Sequence, residues 1–221
     1  MDRIHDDPLL GASDAPEQVE TATFAMGCFW APDGLFGVLP GIIRTHVGYA
    51  GGTSDSPTYD NLDGHAEAIQ LDFDPSVVSY GELLSIFWEN HDGFARPYSS
   101  QYRSMIFVHN EDQRELANRL IDQARNENGI RPTTEIVTYE GFTRAEGYHQ
   151  KYRLQSSRTL APLLDELKLL FETFDELVGS TIAARINGYV SGWGSLARLE
   201  SEIESFGLSQ NAEALLLSVV Q

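Results

Sequence analysis

The sequence predicts an α+β fold: a mixed β-sheet flanked by helices, followed by a helical C-terminal extension. Short strand-like runs alternate with segments of helical periodicity up to about residue 155. A capping-box signature, Ser79-Tyr80-Gly81-Glu82, opens one of the helical segments. From about Ser156 the composition shifts to Leu, Glu and Asp at helical spacing. Three regions follow: an acidic, poorly ordered arm over residues 1–18, a sheet-and-helix domain over 19–155, and a helical extension over 156–221 that need not fold alone.

Thr21 to Ala25 reads as a short strand running into Met26-Gly27-Cys28-Phe29-Trp30, with a short helix to about Phe36. Ile42 to Tyr49 is a second strand, and the Gly/Ser/Pro-containing stretch Ala50 to Pro57 is a loop. His65 to Phe73 is a third strand. The helix that the capping box opens carries Leu83, Leu84, Ile86, Phe87 and Trp88. After a loop over Asp92 to Ser100, Ser104 to His109 reads as a strand and Glu111 to Asn128 as an amphipathic helix, with Leu116, Leu120, Ile121 and Ala124 on one side. Thr134 to Tyr139 is a strand and Arg144 to Gln155 a helix. Leu160 to Val178, Leu196 to Phe206 and Asn211 to Val219 are helical by spacing, and no internal repeat is present.

The chain has 221 residues, 42% hydrophobic and 22% charged, which suits an ordinary buried core. Its net charge is −18, a field that repels nucleic acid and anionic lipid, so neither is expected as a partner. Lysine occurs only at Lys151 and Lys168. Abundant carboxylates with little lysine suit a salt-adapted protein, whose self-repulsion mobile ions would screen. No apolar run is long enough to cross a bilayer, and residues 1–11 lack the basic start and apolar stretch of a secretory signal. A cytoplasmic monomer is expected.

Cys28 is the one cysteine, so neither an internal disulfide nor a thiolate-rich zinc site can form. The histidines are scattered, no metal site is expected, and each histidine reads as surface or loop. Cys28 follows Gly27 where a strand turns into a helix. Free N–H groups and the helix dipole there should lower its pKa below the usual value of about 8.5 and favour the nucleophilic thiolate. Phe29 and Trp30 beside it can build a small apolar pocket, or simply pack in a core. Glu67 lies among small and apolar residues, where burial would make it hold a proton. A neutral carboxyl can act as a general acid; a solvent-facing strand glutamate would look the same in the sequence. Tyr59 and Tyr102 offer hydroxyls that can hydrogen-bond an oxyanion without carrying charge.

These residues fall in segments that resemble the type A peptide methionine sulfoxide reductases. The matching segments are Gly27-Cys28-Phe29-Trp30, Leu39-Pro40-Gly41, Gly48-Tyr49-Ala50-Gly51-Gly52, Pro57-Thr58-Tyr59, Gly64-His65-Ala66-Glu67-Ala68, Phe73-Asp74-Pro75, Phe87-Trp88-Glu89-Asn90-His91-Asp92 and Ser100-Gln101-Tyr102-Arg103-Ser104. They come in the family's order over residues 20 to 155. Ser180 to Tyr189 further resembles a plant-type branch with a helical C-terminal extension. The resemblance implies a ferredoxin-like core. It implies that Cys28 attacks the sulfoxide sulfur, that Phe29 and Trp30 hold the S-methyl group, that Glu67 protonates the oxygen, and that Tyr59 and Tyr102 hydrogen-bond it. The product on the enzyme is a sulfenic acid, and the substrate is the S epimer of methionine sulfoxide, free or in proteins.

The sequence departs from the family pattern in three places. Resolving cysteines are missing, so an external thiol (thioredoxin, glutaredoxin or a small thiol) must reduce the sulfenic acid, with no bound cofactor. The loop Asp60-Asn61-Leu62-Asp63 is short. Pro97, in the short loop Gly93 to Ser99, stands where the family has a substrate-binding aspartate, with Asp92 a possible substitute. A protein that binds or senses methionine sulfoxide without turnover is therefore an alternative. So is an acyl-transfer enzyme pairing Cys28 with a histidine.

Overall fold

The computed structural model describes residue 16 and residues 18–220. The acidic arm expected over residues 1–18 lies almost wholly outside the described residues.

The six-stranded sheet has the order β5-β4-β1-β3-β2-β6. Its strands are β1 (Glu20–Met26), β2 (Ile42–Ala50), β3 (Ala66–Phe73), β4 (Ser104–Val108), β5 (Glu135–Thr138) and β6 (Thr143–Arg144). Only β4 and β5 pair in parallel, so the sheet is mixed as expected. Helix α1 (Trp30–Gly37) follows β1, and α2 (Tyr80–Glu89) follows β3. With the central order β4-β1-β3-β2 these elements form the expected ferredoxin-like βαββαβ core. Helix α3 (Glu111–Asn128) has the predicted bounds; the Asn110 side chain caps its start, and Gly129 ends it at φ 69°. The capping box of α2 forms as read, with the Ser79 side chain accepting the Glu82 N–H.

One face of the sheet carries the main core, including Phe24, Val47, Ile69, Leu71 and Phe73, packed beneath α1 and α2 with Phe36, Leu83 and Phe87. The opposite face is built from small residues, Ala25, Ala50, Ala66 and Ala68, with Met105 and Phe107. A third cluster joins Val38 and Leu154 to the C-terminal helices through Leu163, Ile182, Ile186 and Tyr189. Among the described residues no helix is long and apolar enough to cross a membrane.

Two helix expectations fail. Arg144 to Gln155 does not form one helix. Arg144 pairs with Gly48 in β6, Gly147–His149 makes a 3-10 turn, and Lys151 is left-handed at φ 49°. Helix α4 spans Tyr152–Ser156 alone. The Gln150 side chain takes the place of a strand partner: its Oε1 accepts the Val47 N–H at 3.1 Å and its Nε2 donates to the Val47 carbonyl at 2.8 Å. A buried edge thus gains its backbone partners from a side chain, which no helical periodicity reports. Leu160 to Val178 splits at extended Phe171 into α5 (Ala161–Leu170) and α6 (Phe174–Val178), the latter opened by a Thr173–Glu176 capping box. Further helices are α7 (Thr181–Val190), α8 (Leu196–Glu202) and α9 (Gln210–Val219).

Candidate active site

Gly27, at φ 90°, turns the chain out of β1, a conformation that side-chain-bearing residues rarely adopt. Cys28 follows and is exposed. Phe29 is the N-cap of α1 and Trp30 its first residue. Two free N–H groups of this helix start are committed to the site. That of Phe29 donates to Glu67 Oε2 at 2.9 Å, and that of Trp30 faces the Cys28 sulfur and lowers its pKa.

Glu67 lies on the core face of β3, alternating with Ala66 and Ala68 on the other face, and is 1% exposed. Its register partner on β2 is Tyr49. Its second oxygen, Oε1, accepts from Gln101 Nε2 at 2.6 Å. Burial raises its pKa, and the hydrogen bonds from Phe29 and Gln101 oppose the rise without cancelling it. Glu67 therefore points at the nucleophile turn and tends to hold a proton.

The expected depression of the Cys28 pKa is reversed. Although the residue is exposed, partial burial of its thiol is the largest influence and raises the pKa. The Trp30 N–H lowers it, the Glu67 charge raises it again, and Arg153 lowers it. A helix start two residues away does not outweigh lost water and a neighbouring carboxylate.

Trp30 stacks on Tyr152 with ring centroids 3.7 Å apart and planes within 4°. Its Nε1–H donates to His149 Nδ1 at 3.2 Å. The His149 ring lies 5.1 Å from Phe29 and 4.6 Å from Tyr59. His149 is 2% exposed, and burial lowers its pKa, so it is neutral with its proton on Nε2. That Nε2 has no hydrogen-bond partner; Glu146 Oε2 lies 4.0 Å away. Glu146 instead accepts the Tyr49 hydroxyl at 2.7 Å and the Tyr59 N–H at 3.0 Å. Burial works to raise its pKa, yet these hydrogen bonds prevail and keep it ionised. Tyr102, in the 3-10 turn Ser100–Tyr102, has its pKa raised by burial, then by the Glu67 charge and by the phenols of Tyr59 and Tyr98.

The structure thus brings Cys28, Phe29 and Glu67 together directly. It places Tyr102 where its ring meets Tyr98, 5.1 Å away, and where the Glu67 charge is felt, and it places Trp30 in an aromatic box with His149 and Tyr152. Asp92 is not part of this group: its Oδ1 accepts the Phe94 N–H at 2.9 Å and shapes its own loop. Pro97 is exposed in that loop. The reading of the histidines as surface or loop fails for His46, buried in β2, and for His149, buried in a 3-10 turn, while His65 is buried but lies in the loop before β3. Sequence reasoning assigned no role to Gln101, Glu146, His149 or Tyr152. Gln101 stood inside a quoted motif, whereas the other three lay in a stretch read as a helix. Among the described residues no group of three His, Cys, Asp or Glu side chains could hold a metal.

The peptide methionine sulfoxide reductase family matches residues 20–166, and the helical domain of selenoprotein methionine sulfoxide reductase A matches residues 173–216. The chain is 44% identical over 192 residues to a peptide methionine sulfoxide reductase of Drosophila melanogaster, covering 86% of this chain and 75% of that one. It is 38% identical over 192 residues to peptide methionine sulfoxide reductase A5 of Oryza sativa subsp. japonica, covering 84% and 73%. In three dimensions it is similar to methionine sulfoxide reductase A of Corynebacterium diphtheriae, with a TM-score of 0.56 at 29% identity over 64% of this chain and 76% of that one. With the match covering most of the sheet domain and continuing through the C-terminal helices, the chain belongs to the peptide methionine sulfoxide reductase family, whose members reduce methionine sulfoxide at the expense of a thiol.

Proposed function

We propose that Cys28 is the nucleophile and Glu67 the acid in reduction of the S epimer of methionine sulfoxide, free or within a polypeptide. The Cys28 sulfur attacks the sulfoxide sulfur while Glu67 supplies a proton to the oxygen. In balance, thiol and sulfoxide give cysteine sulfenic acid and thioether: the methionine sulfur is reduced by two electrons and the Cys28 sulfur is oxidised by two. Tyr59 and Tyr102 would hydrogen-bond the oxygen as negative charge collects on it. Phe29 and Trp30 would receive the S-methyl group, with Trp30 held flat between Tyr152 and His149.

The observation that carries this reading is the Glu67 carboxyl, buried, biased toward its neutral form and hydrogen-bonded to the N–H next to Cys28. A proton donor so placed also answers the raised thiol pKa, because protonating Glu67 removes one of the charges that discourage the thiolate. With no second cysteine in the chain, an external thiol closes the cycle, whether a small molecule or a thioredoxin- or glutaredoxin-like protein. The test is mass spectrometry of the protein after one equivalent of methionine sulfoxide without reductant. One added oxygen, on Cys28, is the expected result; an unmodified Cys28 beside free methionine product would refute the assignment.

A further inference from the structure

Helix α7 of the C-terminal extension lies against α1, the helix whose first N–H groups serve Glu67 and Cys28. The approach is close enough to exclude side chains. A Cβ added at Gly37 would stand 2.6 Å from the Ala184 carbonyl oxygen. One at Gly188 would stand 2.6 Å from Val38 Cβ and 2.7 Å from the Gly34 carbonyl oxygen. One at Gly34 would meet Ser191 Cβ at 2.7 Å, an atom that cannot rotate away. Buried Arg185 closes the far end of α1, with Nη1 donating to the Gly37 carbonyl at 2.8 Å and also to the Leu39 carbonyl. Those carbonyls fall where a helix leaves its last acceptors unpaired. Thr181 Oγ1 donates to the Ile43 carbonyl at 2.6 Å, which registers α7 against β2 as well. Trp193, just beyond α7, packs on both the sheet core and the helical core.

We infer that the C-terminal extension positions the nucleophile: α7 holds α1 from behind and so fixes the separation of the Phe29–Trp30 turn from Glu67. The opposite end of α1 is not free to compensate. Asp33 Oδ1 takes the Lys151 Nζ at 3.0 Å and the Thr45 hydroxyl at 2.6 Å, while Oδ2 takes the Lys151 N–H at 2.9 Å. Helix α1 is therefore gripped on both sides of Gly34, and a Cβ forced in there strains both grips and the Phe29–Trp30 turn they hold. The inference rests on Cys28 and Glu67 being the reacting pair, and Gly34 and Gly188 are positioning residues that touch no substrate.

The full chain is assayed as Gly34→Ala, Ser191→Gly, the double variant and Gly188→Ala, with native near-ultraviolet circular dichroism required of each. Steady-state turnover of methionine sulfoxide with dithiothreitol is read beside the pH profile of Cys28 alkylation by iodoacetamide. Gly34→Ala should lower kcat at least tenfold with KM changed less than threefold, and should move the alkylation midpoint. Ser191→Gly alone should stay within twofold of the parent. In the double variant the space opened by Ser191→Gly should restore kcat to within about threefold. Gly188→Ala, which pushes from the extension side, should reproduce the kcat loss. A folded Gly34→Ala or Gly188→Ala protein with parental kcat and alkylation profile overturns the inference, as does a Gly34→Ala loss that Ser191→Gly leaves untouched. Should Gly34→Ala not fold, Gly188→Ala decides. Failure of the underlying reading looks different: Cys28→Ser would then retain turnover in the parent background.

Discussion

A carboxyl group on the core face of a strand cannot keep both its charge and its burial at no cost. Burial raises the pKa of Glu67, and the sign of the consequence can be stated. Its pKa is raised on folding, so the folded protein holds that proton more tightly than the unfolded chain. The stabilisation is complete below the usual carboxylate range and is lost as pH rises through the raised value. Glu67→Gln should therefore be more stable than the parent at neutral pH by thermal melting, while its turnover falls about 10²–10⁴-fold. Cys28 in that variant should alkylate at lower pH, because a raising charge is gone. Unchanged turnover in Glu67→Gln would remove Glu67 from the chemistry. A second buried group is testable by stability alone. Asp33→Asn would leave Lys151 Nζ, 1% exposed, without its counter-ion, and a loss of about 3–5 kcal/mol in denaturant unfolding is expected. At this scale the local run Cys28-Phe29-Trp30 showed where a strand turns into a helix, but not that burial would raise the thiol pKa there. The sequence was silent on His149, whose role comes from rings contributed by residues as distant as Phe29, Trp30 and Tyr59.

Helices α2 and α3, whose starts are written in capping residues, were readable in advance, whereas the capping box that opens α6 went unread. Ser79→Ala should cost about 1 kcal/mol through the lost cap and leave kcat unaltered; a kcat change beyond twofold would tie α2 to the site. The stretch from Arg144 to Ser156 was not readable, because its shape answers to tertiary demands. Gln150 supplies the Val47 backbone, and Lys151 is held left-handed by partners on α1 and β2. Helical periodicity describes a surface element packing one face, and this segment packs on several sides at once. The break at Phe171 was hidden for a related reason: two helices of similar composition, joined by a two-residue extended link and a cap, present one continuous pattern.

Across the whole molecule, the sheet core and the helical core meet along α1 and β2, with Val38 counted in the helical cluster although it ends the first helix of the sheet domain. The composition change near Ser156 did not report that the helical cluster would reach back to Leu154 and Val38. Truncation before Ser156 should uncover these faces and lower the unfolding midpoint markedly; retained stability and turnover would show the layers to be independent. The net charge of −18 acts on the molecule as a unit. Screening should relieve self-repulsion, so melting temperature and turnover are expected to rise from low toward molar salt, and a flat or falling profile would count against salt adaptation.

The exposure of Cys28 in a chain with no second sulfhydryl carries a liability of its own. On the proposed mechanism, the oxidised sulfur of Cys28 faces solvent with no second thiol of this sequence to condense with. When the external thiol runs low, that intermediate would persist, and peroxide can carry it to the sulfinic state, from which ordinary thiols do not recover it. The catalyst would then be lost under the same conditions that create its substrate, and its lifetime would track the availability of reductant rather than the strength of its fold.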